Sequence, residues 1–169
     1  MKFLDKLERK IGKYAINNLI TYILVIYFVG TVINFIDPNI YGSYLMLDVE
    51  KVLQGQIWRL FTFSIQPVFS NNIFFLFFQF HLYYMIGNSL EDVWGAFKFN
   101  LYFFSGIILN ILAIFLVYFI TGDSYVLGLQ YINRSMFFAF ALIFPNVQFL
   151  LFFFIPVKVK YLAIFYAVI

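Results

Sequence analysis

Residues 99–120 read FNLYFFSGIILNILAIFLVYFI, and no charged side chain lies between Lys98 and Asp123. About 20 apolar residues in a helix cross the hydrocarbon core of a bilayer. Lipid offers the backbone no hydrogen bonds, so a run of this length must be helical. Two more charge-free stretches precede it, residues 14–36 and the segment between Arg59 and Glu91. The pattern predicts spans over Ala15–Ile36, Ile73–Leu90 and Phe99–Ile120, and a fourth over Tyr125–Phe144 that ends at Pro145 and contains Arg134. The expected fold class is all-α: a polytopic transmembrane helical bundle with four complete spans, the start of a fifth, and a long membrane-associated first loop.

Composition excludes a soluble reading. Hydrophobic residues make up 64% of the chain and charged residues only 11%, against about 25% charged in a soluble domain, too few to cover a globule in water. The absence of Cys rules out disulfides, thiolate metal sites and Cys nucleophiles, and a single His, His81, rules out a clustered-His site. No metal and no cofactor is expected. A net charge of +3 is too small to signal nucleic acid, so the lipid bilayer is the expected partner. The bias toward Phe, Tyr, Ile and Asn suggests an A/T-rich bacterial genome, and with it a bacterial cell membrane.

Basic residues orient the chain. Lys2, Lys6, Arg9, Lys10 and Lys13 precede the first span, Lys98 separates the second from the third, and Lys158 and Lys160 follow the fourth. Only Lys51 and Arg59 fall on the other side. The positive-inside rule therefore predicts a cytoplasmic N-terminus. Residues 1–13 read as a basic amphipathic helix at the headgroups or as a solvated tail, and residues 14–169 as the transmembrane domain. The first apolar run is full length and lacks a small-residue cleavage site, so it is not a signal peptide. Tyr161–Ile169 is less than half a span, so at least one further helix is expected beyond it.

The connection Asp37–Asn72 is long and not very polar. Its segment GQIWRLFTFSIQP (55–67) should lie in the outer interface or dip against other helices. On composition alone, Trp58 and Arg59 read as an interfacial aromatic with a snorkelling Arg. The stretch NVQFLLFFFIPVK (146–158) leaves ten residues between Pro145 and Pro156, too few to span. It should turn along the inner surface before a helix starts at Lys158.

Three of these segments together resemble the rhomboid superfamily of intramembrane serine proteases and their inactive relatives, over about Gly55 to Leu162. GQIWRLFTFSIQP resembles the family's Trp-Arg loop, with Trp58 and Arg59 on the motif. MIGNSLEDVWGAFKFNLYFFSGI (85–107) resembles its Gly-x-x-x-Glu-x-x-x-Gly pattern, with Gly87, Glu91 and Gly95, followed by Tyr102 and Ser105-Gly106. ALIFPNVQFLLFFFIPVKVKYLA (141–163) resembles the Phe-Pro turn and the basic start of the fifth helix. The resemblance implies a rhomboid-like bundle.

It also implies where catalysis would sit. Active rhomboids carry Gly-x-Ser-Gly at the outer end of the fourth span and pair its Ser with a His on the sixth helix. Counting back without gaps from Phe144-Pro145, the motif falls on Gly128-Leu129-Gln130-Tyr131. Gly128 matches, Gln130 takes the place of the nucleophile, and Tyr131 that of the second Gly. An amide cannot attack a carbonyl as an activated serine can. On the second span the family's oxyanion Asn falls on Gln79 and its His on Phe75.

Ser135 is the candidate displaced nucleophile, against the plainer reading of a helical Ser bonded to its own backbone. His81 would be hydrogen-bonded between helices, or would line a polar cavity with Gln79. Arg134, within the fourth span, costs about 2.5–3.5 kcal/mol to insert. It should face the bundle interior or a cavity, with Asn133 marking a polar patch and Gln79, His81 or a residue of the helix expected beyond Ile169 as partner. Gly87, Gly95, Gly106 and Gly128 can serve close helix approach alone. The expected function is that of a rhomboid-like protein without the catalytic serine, binding the transmembrane segments of client proteins or scaffolding others. An active protease with a displaced nucleophile is the second reading, and a small transporter or channel subunit the third.

Overall fold

The computed structural model describes residues 2–70, 72–151 and 155–168. The chain divides into two compact units, residues 1–130 and 131–169.

The first unit opens with the amphipathic helix α1 (Lys2–Ile11) and a single 3-10 turn. Helix α2 (Leu19–Ile36) is the first span. The loop that follows carries a wide helical turn at Tyr41–Leu45, strand β1 (Leu47–Asp48), and two short helices, α3 (Val49–Leu53) and α4 (Arg59–Thr62). Helices α5 (Ile73–Trp94) and α6 (Ala96–Thr121) are the second and third spans, and strand β2 (Val126–Leu127) follows. Among the described residues, three helices, α2, α5 and α6, are long and apolar enough to cross a membrane. They pack on one another through Ile20, Ile23 and Tyr27 of α2, Ile86 and Leu90 of α5, and Phe99 and Phe103 of α6, all buried. Their outward faces are apolar as well: Tyr22, Val25, Phe28 and Phe35 of α2 and Leu109, Leu112, Leu116 and Phe119 of α6 are exposed. A helix apolar on every side is at home in lipid.

The first loop lies against α2. The backbone of Ile65 and Gln66 passes so close to Gly30 that a Cβ there would stand 2.5 Å from the Ile65 carbonyl oxygen. One residue on, the Thr31 hydroxyl accepts the Val68 N–H at 3.0 Å and donates to the Tyr27 carbonyl at 2.8 Å. One loop-to-helix bond, from a hydroxyl itself anchored within α2, and one absent side chain thus seat the loop against α2. Gly30→Ala should therefore destabilise the protein by about 1–3 kcal/mol, because backbone cannot move aside as a side chain can. Gly42→Ala, with open space around it, should change the melting temperature in detergent little. Equal effects at both positions would contradict this packing.

The second unit holds α7 from Tyr131 onward (α7 spans Gln130–Ile143), strands β3 (Gln148–Leu151) and β4 (Ile155–Lys158), and α8 (Val159–Val168). Phe140 stacks on Phe149 with ring planes 6° apart.

The all-α bundle agrees with expectation, and some boundaries move. The run 125–144 folds as a helix only from Gln130, 14 residues long. Val126 and Leu127 pair antiparallel with Asp48 and Leu47, so their backbone groups are satisfied by the first loop instead. The stretch 146–158 forms the β3–β4 pair, with Gln148 opposite Lys158 and Phe149 opposite Val157; residues 152–154 of it lie outside those described. The pairing satisfies the backbone of a segment too short to span. Helix α8 begins at Val159, one residue after Lys158.

Candidate functional site

The wide turn Tyr41–Leu45 leaves a series of carbonyls without helical partners, as every helix end does. Four consecutive ones are taken by one short segment. Arg59 Nη2 donates to Ser43 O, Trp58 Nε1 to Tyr44 O at 3.3 Å, Thr62 Oγ1 to Leu45 O at 3.1 Å, and Arg59 Nη1 to Met46 O at 2.8 Å. Arg59 Nε donates to Gln56 Oε1 at 2.7 Å. Arg59 is 1% exposed, so the snorkelling reading of this side chain is corrected. The planar guanidinium fork reaches two carbonyls at once, which a headgroup-bound Arg would not do. Trp58 remains exposed.

A neighbouring cluster ties the same loop to the segment after α6. Asp48 Oδ1 accepts from Ser124 Oγ at 2.8 Å and from the Lys51 N–H at 3.3 Å, and Lys51 Nζ lies 3.8 Å from the carboxylate. Partial burial pushes the Asp48 carboxyl up, but the Ser124 hydroxyl, the Lys51 N–H and the charges of Lys51 and Arg59 more than offset it, leaving it below its ordinary value. A carboxyl held low in the folded state stabilises above its unfolded pKa of about 3.9, and that contribution disappears as pH falls through the folded value. Protease cleavage within residues 37–72 should therefore rise only below about pH 4, and Asp48→Asn should remove that pH dependence. An unchanged profile in the variant would show that other carboxyls control the loop.

At the other end of α2, the Glu91 carboxylate accepts the N–H of Asn18 at 2.6 Å and of Leu19 at 3.1 Å. Asn18 adopts the left-handed conformation, φ 55°, which Asn tolerates better than most residues. Asn100 Oδ1 accepts the Ile16 N–H at 3.0 Å, and its Nδ2 donates to the carbonyls of Ile16 at 2.8 Å and Ala96 at 2.7 Å. One helical turn before Glu91, Ile20 packs directly on Gly87. One turn after it, Gly95 at φ 85° reverses α5 into α6. Gly87, Glu91 and Gly95 thus lie four residues apart along α5 with three separate tasks: admitting α2, capping it, and turning the chain.

Three polar oxygens converge on Gly128. A Cβ there would stand 2.7 Å from Gln130 Oε1, 2.9 Å from the Tyr41 hydroxyl and 3.0 Å from Gln66 Oε1. The Leu129 N–H donates to Gln66 Oε1, and the Tyr41 hydroxyl donates to the Phe63 carbonyl at 3.1 Å. Burial pushes the Tyr41 phenol well above its usual value, so it remains a neutral donor. Two carboxamides and a protonated phenol can hold a polar group by hydrogen bonds. None becomes a nucleophile near neutral pH.

The remaining candidates are more scattered. Gln79 is half-buried, and its Oε1 is buried with no partner among the described residues. His81 is exposed on α5. Phe75 is exposed and Asn133 half-buried. Ser135 donates to the Ile132 carbonyl of its own helix at 2.9 Å, the plainer of its two readings. Arg134 is exposed, with its guanidinium 4.5 Å from the Tyr166 ring centre. The cation takes this aromatic face as its contact. Sequence reasoning passed over Gln66, Tyr41, Asn100 and Thr31. None of them belongs to a recognisable motif, and no spacing rule picks such residues out.

Three membrane-length helices and the covering loop define a polytopic helical integral membrane protein. The family model described as "Eukaryotic integral membrane protein (DUF1751)" matches residues 19–169, and the chain belongs to that family. No curated protein and no solved structure matches. The eukaryotic description overturns the bacterial origin expected from composition. A bias toward Phe, Tyr, Ile and Asn reports base composition, which is not particular to bacteria.

Proposed function

We propose that this is a rhomboid-like membrane protein without serine chemistry, which binds client proteins through their transmembrane segments. The observation that carries the reading is the filled site around Gly128. Where an active relative would need a free hydroxyl and a vacant backbone donor, Gln130 stands over Gly128 and the Leu129 N–H is already given to Gln66. A scissile carbonyl arriving there would meet neither a nucleophile nor a vacant donor at Leu129. The Trp58–Arg59 clasp and the Gly87–Glu91–Gly95 series support the rhomboid-like frame, since each motif residue has a distinct structural task. A cytoplasmic N-terminus, with α1 lying at the headgroups, belongs to the same proposal and follows from the charge distribution.

Ser135 is the residue to test. The full-length protein in nanodiscs, treated with a serine-reactive fluorophosphonate, should remain unlabelled, and Ser135→Ala should behave identically. Labelling of the wild type that disappears in Ser135→Ala would overturn the non-catalytic reading in favour of a displaced nucleophile. The binding half of the proposal is tested with single-span probe helices, which should associate with the full-length protein above the level of an unrelated multispan control.

A further inference from the structure

Helix α1 sorts its side chains into three sectors. At about 100° per residue, Lys6, Arg9 and Lys10 fall within about 100° of one another, Leu4, Leu7 and Ile11 within about 60°, and Asp5 and Glu8 within about 60°. The acidic sector is turned toward the bundle, where the Glu8 carboxylate lies 3.8 Å from Lys98 Nζ in the first turn of α6. The basic sector is left outside. Lys6, Arg9 and Lys10 are exposed, and among the described residues no carboxylate pairs with them. Leu4 and Ile11 are exposed as well.

The neighbours of α1 fix its level. Gly95 joins α5 to α6, both of membrane length. The charge-free run 99–120 begins directly after Lys98. A cation at the edge of such a run marks the change from hydrocarbon to headgroups, and α1 touches that cation. Two residues beyond Lys98, Asn100 holds both the N–H and the carbonyl of Ile16, so the connection from α1 to α2 is tied to the same level. Tyr14, 73% exposed with Lys13 Nζ 4.9 Å from its ring centre, is the kind of residue that collects at this boundary.

We infer that α1 concentrates anionic phospholipids beside the α5–α6 turn. Lys6, Arg9 and Lys10 take the headgroup phosphates, and Leu4, Leu7 and Ile11 enter among the acyl chains. The inference rests on the placement of α1 at the headgroups and names the lipid it meets there. Charge complementarity is one half of the argument: a zwitterionic headgroup offers no net charge to three unpaired cations, whereas an anionic surface attracts each of them by roughly fivefold. The apolar sector is the other half. A bilayer surface sets phosphates beside acyl chains, as α1 sets cations beside Leu and Ile, and an RNA or an acidic protein would leave that sector unused.

The test uses the full-length protein in phosphatidylcholine liposomes, with a donor fluorophore attached through Asp5→Cys, an exposed position on α1 with no other Cys in residues 1–169. Fluorescence transfer compares acceptor-labelled phosphatidylserine with acceptor-labelled phosphatidylcholine at equal amounts. The anionic lipid should be enriched at least roughly fivefold around the donor. Enrichment should vanish in the combined variant Lys6→Gln, Arg9→Gln and Lys10→Gln, turn into depletion when the same three positions become Glu, and shrink as salt rises from about 0.1 M to about 1 M. Lys51→Gln, in the first loop, should leave it unchanged. A headgroup spin-labelled lipid should quench the fluorophore in the wild type. Quenching with equal transfer to both lipids, or enrichment that survives in the Gln variant, would overturn this inference alone, whereas absence of quenching would overturn the headgroup placement with it. An RNA or acidic peptide that binds the wild type, is lost in the Gln variant and is accompanied by no lipid preference would put another macromolecule on this flank and would also overturn the inference.

Discussion

Replacing Arg59 by Ala is expected to release the first loop while the three spans remain helical, at a loss of about 4 kcal/mol. The side chain is buried and donates to Ser43 O, Met46 O and Gln56 Oε1. Removal strands three acceptors where water cannot easily follow, and each such group costs about 1–3 kcal/mol. Arg59→Lys should recover less than half of the loss. An ammonium keeps the charge but cannot span two carbonyls set apart by the fork. Trp58→Phe, which loses a single bond at an exposed side chain, should lose about 1 kcal/mol. Limited proteolysis within residues 37–72 and thermal unfolding in nanodiscs would measure this series. A loop as resistant in Arg59→Ala as in the wild type would mean that the contact with α2 at Gly30 and Thr31 holds it unaided.

The second large effect is expected at Glu91. Glu91→Ala leaves the Asn18 and Leu19 N–H groups open and removes a negative charge from the positive end of α2, a combined loss of about 2–4 kcal/mol. Glu91→Gln keeps one acceptor oxygen without the charge and should lose about half as much. Asn100→Ala is expected to resemble Glu91→Gln, since it frees the Ile16 N–H and carbonyl. Hydrogen exchange at residues 16–20 reads the effect directly. Faster exchange there, with α6 unchanged, is the expected pattern, and uniform destabilisation would contradict a local cap.

The spans of α2, α5 and α6 were legible because the absence of charge over some 20 residues admits few alternatives in lipid. The start of α7 was not. Tyr125, Val126 and Leu127 suit a helix or a strand equally, and their pairing with residues 47–48 depends on a partner about 80 positions away. The run Gln148–Leu151 is similarly ambiguous, and only its antiparallel partner decides it. Arg59 could be located as a motif position, but its environment could not: next to an exposed Trp, composition favours snorkelling, and only the folded turn supplies four carbonyls in a row. Arg134 was legible as an anomaly, whereas its stacking on Tyr166 required the return of α8. Gln66 and Tyr41, which complete the surroundings of Gly128, carried no signal. Their task is set by where the loop crosses α2.

The bonds of Glu91 and Asn100 have a mechanical consequence. The start of α2, the end of α5 and the start of α6 are fastened together there, and the α5–α6 joint is the single residue Gly95. Gly30 lies about 16 Å farther along α2, where the helix is fastened to the loop rather than to α5. A tripod clamped at its foot can splay only at the top. Small changes of helix tilt therefore become displacements that grow with distance from Gly95, and they are largest beside Gln66 and Gly128, where the loop's bonds to Thr31 and Leu129 must follow the movement.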